Sequence, residues 1–180
     1  PGTGNGVLVT SSRAGIGGNV VVRNFNVGFF ASDNGFLNVA AGATATANGA
    51  HGFFAFNNSV IRAVGTRSTA NANGYLAQFQ STVIASAAVA SLNASAGVVA
   101  LNSGLVQFNA ASITGNGVHG VQVQEDSYGV GGACQLTGNH TVNLAGFDAL
   151  ATGGSLITLA GCTGAPAPTL SGNVIPLNDR

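Results

Sequence analysis

The sequence predicts an all-β fold: a right-handed single-stranded parallel β-helix of about seven coils, 22–24 residues per coil, with an irregular C-terminal exit segment. Three observations carry this. An asparagine recurs at Asn24, Asn48, Asn71, Asn93, Asn116 and Asn139, in steps of 24, 23, 22, 23 and 23 residues. A glycine follows three or four residues later, at Gly28, Gly52, Gly74, Gly97 and Gly120, and Gly6 and Gly146 extend the series to seven copies. Behind most of these glycines runs a short alternating apolar stretch. A unit of ~20–25 residues cannot bury its own apolar face, so a period of this length means stacked repeats.

Each copy contains three short strands. The first follows the glycine and pairs a larger with a smaller residue two positions apart: Phe29 and Ala31, Phe53 and Ala55, Tyr75 and Ala77, Val98 and Ala100, Val121 and Val123. Residues two apart share one face of a strand, here the inner one. A serine or glycine then marks a corner at Ser12, Gly35, Ser59, Ser81, Ser103 and Ser127. The second strand begins with pairs such as Phe36-Leu37, Val60-Ile61, Val83-Ile84 and Leu105-Val106. The third leads back to the asparagine through Thr44–Ala47, Ser68–Ala70, Val89–Leu92, Ala111–Thr114 and Cys134–Thr137. Right-handed winding is the default for parallel crossovers.

Equal coil lengths place the asparagines over one another at about 4.8 Å, where their amides form a hydrogen-bonded ladder. Asparagine also accepts the left-handed backbone of a tight corner. The helix is expected over residues 1–160. Residues 161–180 hold three of the four prolines and read as a cap or exit segment that leaves the coil. The start at Pro1, with no leader-like stretch, reads as a fragment of a longer protein.

Hydrophobic residues make up 46% of the 180 and charged ones only 6%, with no lysine. A skin of Asn, Ser, Thr, Gln, Gly and Ala is therefore expected, partly hidden in an oligomer. Zero net charge without a basic stripe argues against nucleic-acid binding. No apolar run approaches the ~20 residues of a membrane span, so membrane insertion is not expected. Gly15-Ile-Gly17-Gly18 lacks the helix and lysine of a phosphate loop. No cofactor and no metal-ligand spacing are read. Cys134 and Cys162 lie 28 residues apart, and buried free thiols are expected.

Sugar hydrolysis commonly uses two carboxylates roughly 5–9.5 Å apart. Asp33 and the Glu125/Asp126 pair share one corner but lie four coils apart, roughly 19 Å at strand spacing. Asp126, Tyr128 and Asp148 are the only candidate cluster for catalysis, weighed against solvated corner charges. His51 and His119 occupy equal places and are expected to point outward; His140 follows Asn139. The column Phe29, Phe53, Tyr75 is read as core stacking, and Phe30, Phe54 and Leu76, one residue on, as an outward apolar stripe. That stripe is a liability on a monomer and an interface in an oligomer.

The run Asn48-Gly-Ala-His-Gly-Phe-Phe-Ala-Phe-Asn-Asn-Ser-Val-Ile-Arg-Ala63 resembles the repeats of bacteriophage tail-fibre and tailspike β-helices, and Asn71–Ala85 and Asn93–Val106 look like further copies. Similar phrases occur in bacterial surface proteins with pectate-lyase-like coils. The resemblance spans about residues 6–160. It implies a homotrimer in an extracellular virion tail, contacting other tail proteins and bacterial surface polysaccharide. No match to those families' catalytic carboxylate pairs is found. The expected function is a structural and host-recognition segment; the alternatives are a polysaccharide lyase or glycoside hydrolase of this architecture, and a secreted or cell-surface bacterial adhesin.

Overall fold

Each strand bonds not to its chain neighbour but to its counterpart one period away, and three parallel sheets result. The computed structural model describes residues 2–141, 146–164 and 170–177. Sheet A contains Asn5–Thr10, Val27–Ser32, His51–Phe56, Asn73–Gln78, Ala96–Leu101, His119–Val123, Ala149–Ala151 and Leu170–Gly172, in that order. Sheet B contains Arg13–Ile16, Phe36–Val39, Val60–Arg62, Thr82–Ile84, Leu105–Gln107, Tyr128–Gly132, Leu156–Ala160 and Val174–Leu177. Sheet C contains Val21–Arg23, Thr44–Thr46, Arg67–Thr69, Val89–Ser91, Ser112–Thr114 and Gln135–Thr137. The chain is a parallel β-helix of about seven coils, with no helix among the described residues.

The core follows from the alternation. Phe29, Phe53 and Tyr75 pair in register and are fully buried. Their ring centroids lie 4.8 Å apart with interplanar angles of 9° and 11°, so the rings stack at the strand repeat. Val98 and Val121 continue the column, and Ala31, Ala55, Ala77 and Ala100 form the small one beside it. Tyr75 carries the one phenol of the stack, and its hydroxyl meets Thr66 Oγ1 at 3.0 Å. Phe108 is also fully buried, and a methyl group on Gly131 of the next coil would strike its ring. A large residue in one coil is thus matched by a glycine in the next.

The asparagine ladder occupies the corner between sheets C and A. Asn71 Oδ1 accepts from both the backbone N and Nδ2 of Asn48, each at 2.9 Å. Asn93 Oδ1 does the same for Asn71 (3.1 and 3.3 Å), and Asn116 for Asn93 (3.1 and 2.9 Å). Asn139 Oδ1 serves Asn116 at 3.2 and 2.8 Å. The other Nδ2 hydrogen reaches a sheet C carbonyl of the coil behind, as in Asn116 to Ala90 at 3.1 Å and Asn139 to Ile113 at 3.0 Å. A buried amide loses little only when its donors and acceptor are all engaged, and here they are.

The travelling glycine has a steric cause. A Cβ on Gly28, Gly52, Gly74, Gly97 or Gly120 would lie 3.1, 3.0, 3.0, 2.7 or 2.7 Å from the Nδ2 of the facing ladder asparagine. Asp148 holds the same strand position one coil on, since Val121 pairs with Ala149. It carries no asparagine over it: its own Oδ1 accepts from Asn139 N (3.3 Å) and Nδ2 (2.7 Å) and forms the last rung. Gly146, taken from the sequence as the seventh copy, therefore lies two residues off the true position.

Asn24 lies outside the ladder. It is exposed, and Asn48 Oδ1 accepts from Phe25 N at 3.1 Å, so Phe25 holds the equivalent place. The left-handed conformation also belongs to the residue before each ladder asparagine: Asn24 (φ 64), Ala47 (φ 54), Ala70 (φ 56) and Leu92 (φ 56), then Gly115 and Gly138. The periodicity was carried by two adjacent positions, both of which asparagine suits.

A second ladder runs along the corner between sheets A and B. Ser59 Oγ accepts from Gly35 N, Ser81 Oγ from Ser59 N, Ser127 Oγ from Gly104 N and Ser155 Oγ from Ser127 N, all at 3.0–3.1 Å. Gly104, not Ser103, holds this position; Ser103 is an exposed left-handed corner residue with φ 63.

Two stretches of the C-terminal segment pair with the stack. Leu170–Gly172 joins sheet A and Val174–Leu177 joins sheet B as their last strands. Pro176 falls within the last described strand of sheet B; Pro166 and Pro168 lie outside the described residues. Cys134 and Cys162 form a disulfide rather than free thiols, their Cα atoms 4.3 Å apart in successive coils. Closing a 28-residue loop contributes about 3–4 kcal/mol in the chain-entropy model, where the last coil departs from the regular length.

Asn93→Ala should cost about 3 kcal/mol, because it strands the two buried Asn71 donors behind it and withdraws a donor from Asn116 Oδ1 ahead and from Ser68 O. Asn24→Gly should change stability by less than about 1 kcal/mol, since glycine takes the same backbone conformation. Paired thermal and urea melts check the contrast; equal costs would mean that the ladder is not what holds the coils.

Candidate functional site

The corner between sheets A and B turns through two successive left-handed residues in each of five coils: Asp33–Asn34, Asn57–Asn58, Phe79–Gln80, Asn102–Ser103 and Glu125–Asp126. Side chains in this conformation splay outward, and all of these except Asp33 and Asn102 are exposed. The corner is therefore a double column of polar groups interrupted by one aromatic ring. Gln80 N donates to Asn102 O, Ser103 N to Glu125 O and Asp126 N to Gly153 O, so successive coils consume these corner amides.

Side-chain size varies along the column and cuts a notch of ≈ 570 Å³ into it. Phe56, Asn57, Phe79 and Gln80 line it on one side of Asn102 and Ser103, and Glu125 and Asp126 on the other. Phe79 is 44% exposed and is braced edge-on by Phe56, ring centroids 5.2 Å apart. Gln78 Nε2 donates to Asn102 Oδ1 at 3.1 Å and fixes that amide. Sequence reasoning placed Phe79 nowhere. Its signal was a phenylalanine where the coils before and after place asparagine, Asn57 and Asn102.

The structure separates the candidate catalytic residues. Asp126 lies at the A/B corner and Tyr128, 55% exposed, begins the sheet B strand that follows. Asp148 is buried at the opposite end of sheet A, where it ends the asparagine ladder. It sits beside Gly120, six residues before Asp126, which is roughly 20 Å of extended chain. Tyr128 borders a second groove with Gly154, Leu156, Asn173 and Ile175. No metal-binding group of three or more His, Cys, Asp or Glu occurs among the described residues.

The outward stripe is only partly open. Phe30 and Phe54 are half-buried and stack at 5.0 Å, but Leu76 is 3% exposed. Ala96, Val99 and the flanks of Phe54 and Leu101 cover it. Neighbours only one strand spacing away shield an outward side chain of modest size. His51 and His119 lie on the same face. His51 Nδ1 is 3.3 Å from Asn73 Nδ2, and its ring meets Phe54 edge-on at 4.9 Å. His119 Nδ1 accepts from Phe147 N at 3.0 Å. Burial lowers the pKa of both, that of His51 to about 4.

Comparison of the chain with protein-family models, with curated proteins and with solved structures finds no match.

An unfolded histidine titrates at 6.5, and His51 in the fold at about 4. Between those values the unfolded chain takes up a proton that the folded one refuses, so this stability is complete above pH 6.5 and is lost as pH falls to 4. Urea melts from pH 7 to pH 4 should show that loss, with a weaker slope in His51→Gln. An unchanged slope in the variant would assign the acid sensitivity elsewhere.

Proposed function

We propose that this β-helix is a rigid structural and recognition segment of an extracellular fibre, of the phage tail-fibre or tailspike type, that adheres to bacterial surface glycan. The observation that carries the reading is the notch: an exposed, braced aromatic ring beside amides, a hydroxyl and carboxylates, on a scaffold whose corners are tied to the next coil through the backbone N–H of Gln80, Ser103 and Asp126. Pyranose rings present an apolar C–H face to an aromatic ring and hydroxyls to polar side chains, and a preformed site loses little entropy on binding. The disulfide supports an oxidising, extracellular location. With only 6% charged residues, the surface suits burial against neighbouring chains.

In this reading three copies associate through the outer face of sheet A. The opening there is centred on Phe30, Phe54 and Phe56, the last two in edge-to-face contact at 5.6 Å. Leu76 is a floor residue of that surface, already covered within the chain. Sedimentation at micromolar concentration should give a trimer, and Phe54→Ser should give a folded monomer; a monomeric parent chain would remove the trimer.

Immobilised bacterial surface polysaccharides should retain the chain, and Phe79→Ala should weaken retention at least tenfold. The recovered polymer should keep its length, because Asp148 does not reach the notch to pair with Asp126. Shortened polymer would favour the depolymerase reading, and retention indifferent to Phe79 would remove the notch as the adhesion site.

A further inference from the structure

We infer that the notch selects glycans bearing a free amino group, that is, 2-amino-2-deoxy sugars whose nitrogen is not acylated. The inference rests on the glycan-adhesion reading and adds to it the chemical class of the ligand.

Shape comes first. The column runs large, small, large through three consecutive coils: Phe79–Gln80, Asn102–Ser103, Glu125–Asp126. Backbone bonds from Gln80 to Asn102 and from Ser103 to Glu125 show that these coils are direct neighbours. Two strand spacings separate the two sides, about 10 Å. That gap admits one polymer chain crossing the rod, lying against an aromatic ring on one side and carboxylates on the other.

Charge then narrows the occupant. Glu125 and Asp126 are both exposed, and no ion pair engages either among the described residues. The arginines of the described chain lie elsewhere: Arg13 and Arg62 in sheet B, Arg23 and Arg67 in sheet C, all in the first three coils. Arg13 sits over the Phe36 ring at 5.6 Å, and Arg62 reaches Asn38 at 3.5 Å. Along the stack, three coils or more separate Glu125 from any of them, at least about 14 Å and beyond a Debye length at physiological salt. Bonding between coils also removes Gln80, Ser103 and Asp126 as amide donors to an anion. The notch is thus edged by two carboxylates, that of Asp126 leaning towards Gly154 of the next coil, with no cation facing it among the described residues. An acidic sugar would be repelled and a neutral one would leave both carboxylates to water. A protonated amine supplies the missing charge, and its charge-assisted hydrogen bonds are the stronger kind.

Phe79 favours the same ligand. A sugar ring packed on its face brings the next unit towards Glu125 and Asp126, and an ammonium near the ring gains a further cation–π attraction. A lysine-rich peptide shares the charge but lacks a flat C–H face for Phe79, so the sugar is the better fit.

The test titrates the full chain, at fixed ionic strength, with a glucosamine oligomer, its N-acetylated counterpart, an oligogalacturonate and a tetralysine peptide. The glucosamine oligomer should bind at least tenfold tighter than the acetylated one. The double variant Glu125→Gln, Asp126→Asn should erase that difference while keeping the parent melting temperature, because both positions are exposed. Equal binding of the two oligomers, preference for the galacturonate, or preference for tetralysine would overturn the inference. If the acetylated oligomer binds as well and both are lost in Phe79→Ala, glycan adhesion stands and the amine selection falls. If no sugar responds to Phe79→Ala, both fall.

Discussion

Equal coil length holds this molecule together, and the buried amide column is what enforces it. A rung works only if the next asparagine arrives at one strand spacing, in the same orientation, with a glycine beside it to make room. Each of these requirements excludes the others' failure. A coil one residue longer would move the amide off its partner and leave a backbone N–H stranded in the interior, at a cost of roughly 1–3 kcal/mol. A side chain in place of Gly74 or Gly97 would push into the amide of Asn93 or Asn116. The stacked rings of Phe29, Phe53 and Tyr75 and the serine column from Ser59 to Ser81 follow from the same constraint, since like can lie over like only if every turn has one girth.

The repeat was legible because it is written twice, in the asparagines and in the glycines. Its phase at the ends was less so. Asn24 and Phe25 exchange roles because a left-handed corner residue and a ladder residue stand side by side, and asparagine suits both. Ser103 and Gly104 pose the same ambiguity at the other corner. The shielding of Leu76 was out of reach of alternation, which says which face a residue takes but not how closely neighbours crowd it. The disulfide depends on where an irregular coil brings Cys162, and spacing alone does not fix that.

The site was harder to see than the fold because it is made of departures from the repeat. Phe79 replaces an asparagine, Ser103 a longer side chain, and Glu125 and Asp126 bring charge to a column otherwise mostly amide. Averaging over copies to find the period removes just these differences. Asp148 illustrates the converse: its carboxylate invites a chemical reading, yet its position beside Gly120 and its bonds to Asn139 make it the end of a structural column.

That column also has a direction. Every rung donates forward and accepts from behind, so the amide dipoles point one way along the rod, and the Asp148 carboxylate accepts from the last amide of the column. Tandem duplication of a coil between two asparagines would satisfy the same valences on both sides and lengthen the rod. Elongation is thus open in the interior of the amide column, which makes reach an easy quantity for such a rod to vary and girth a nearly invariant one.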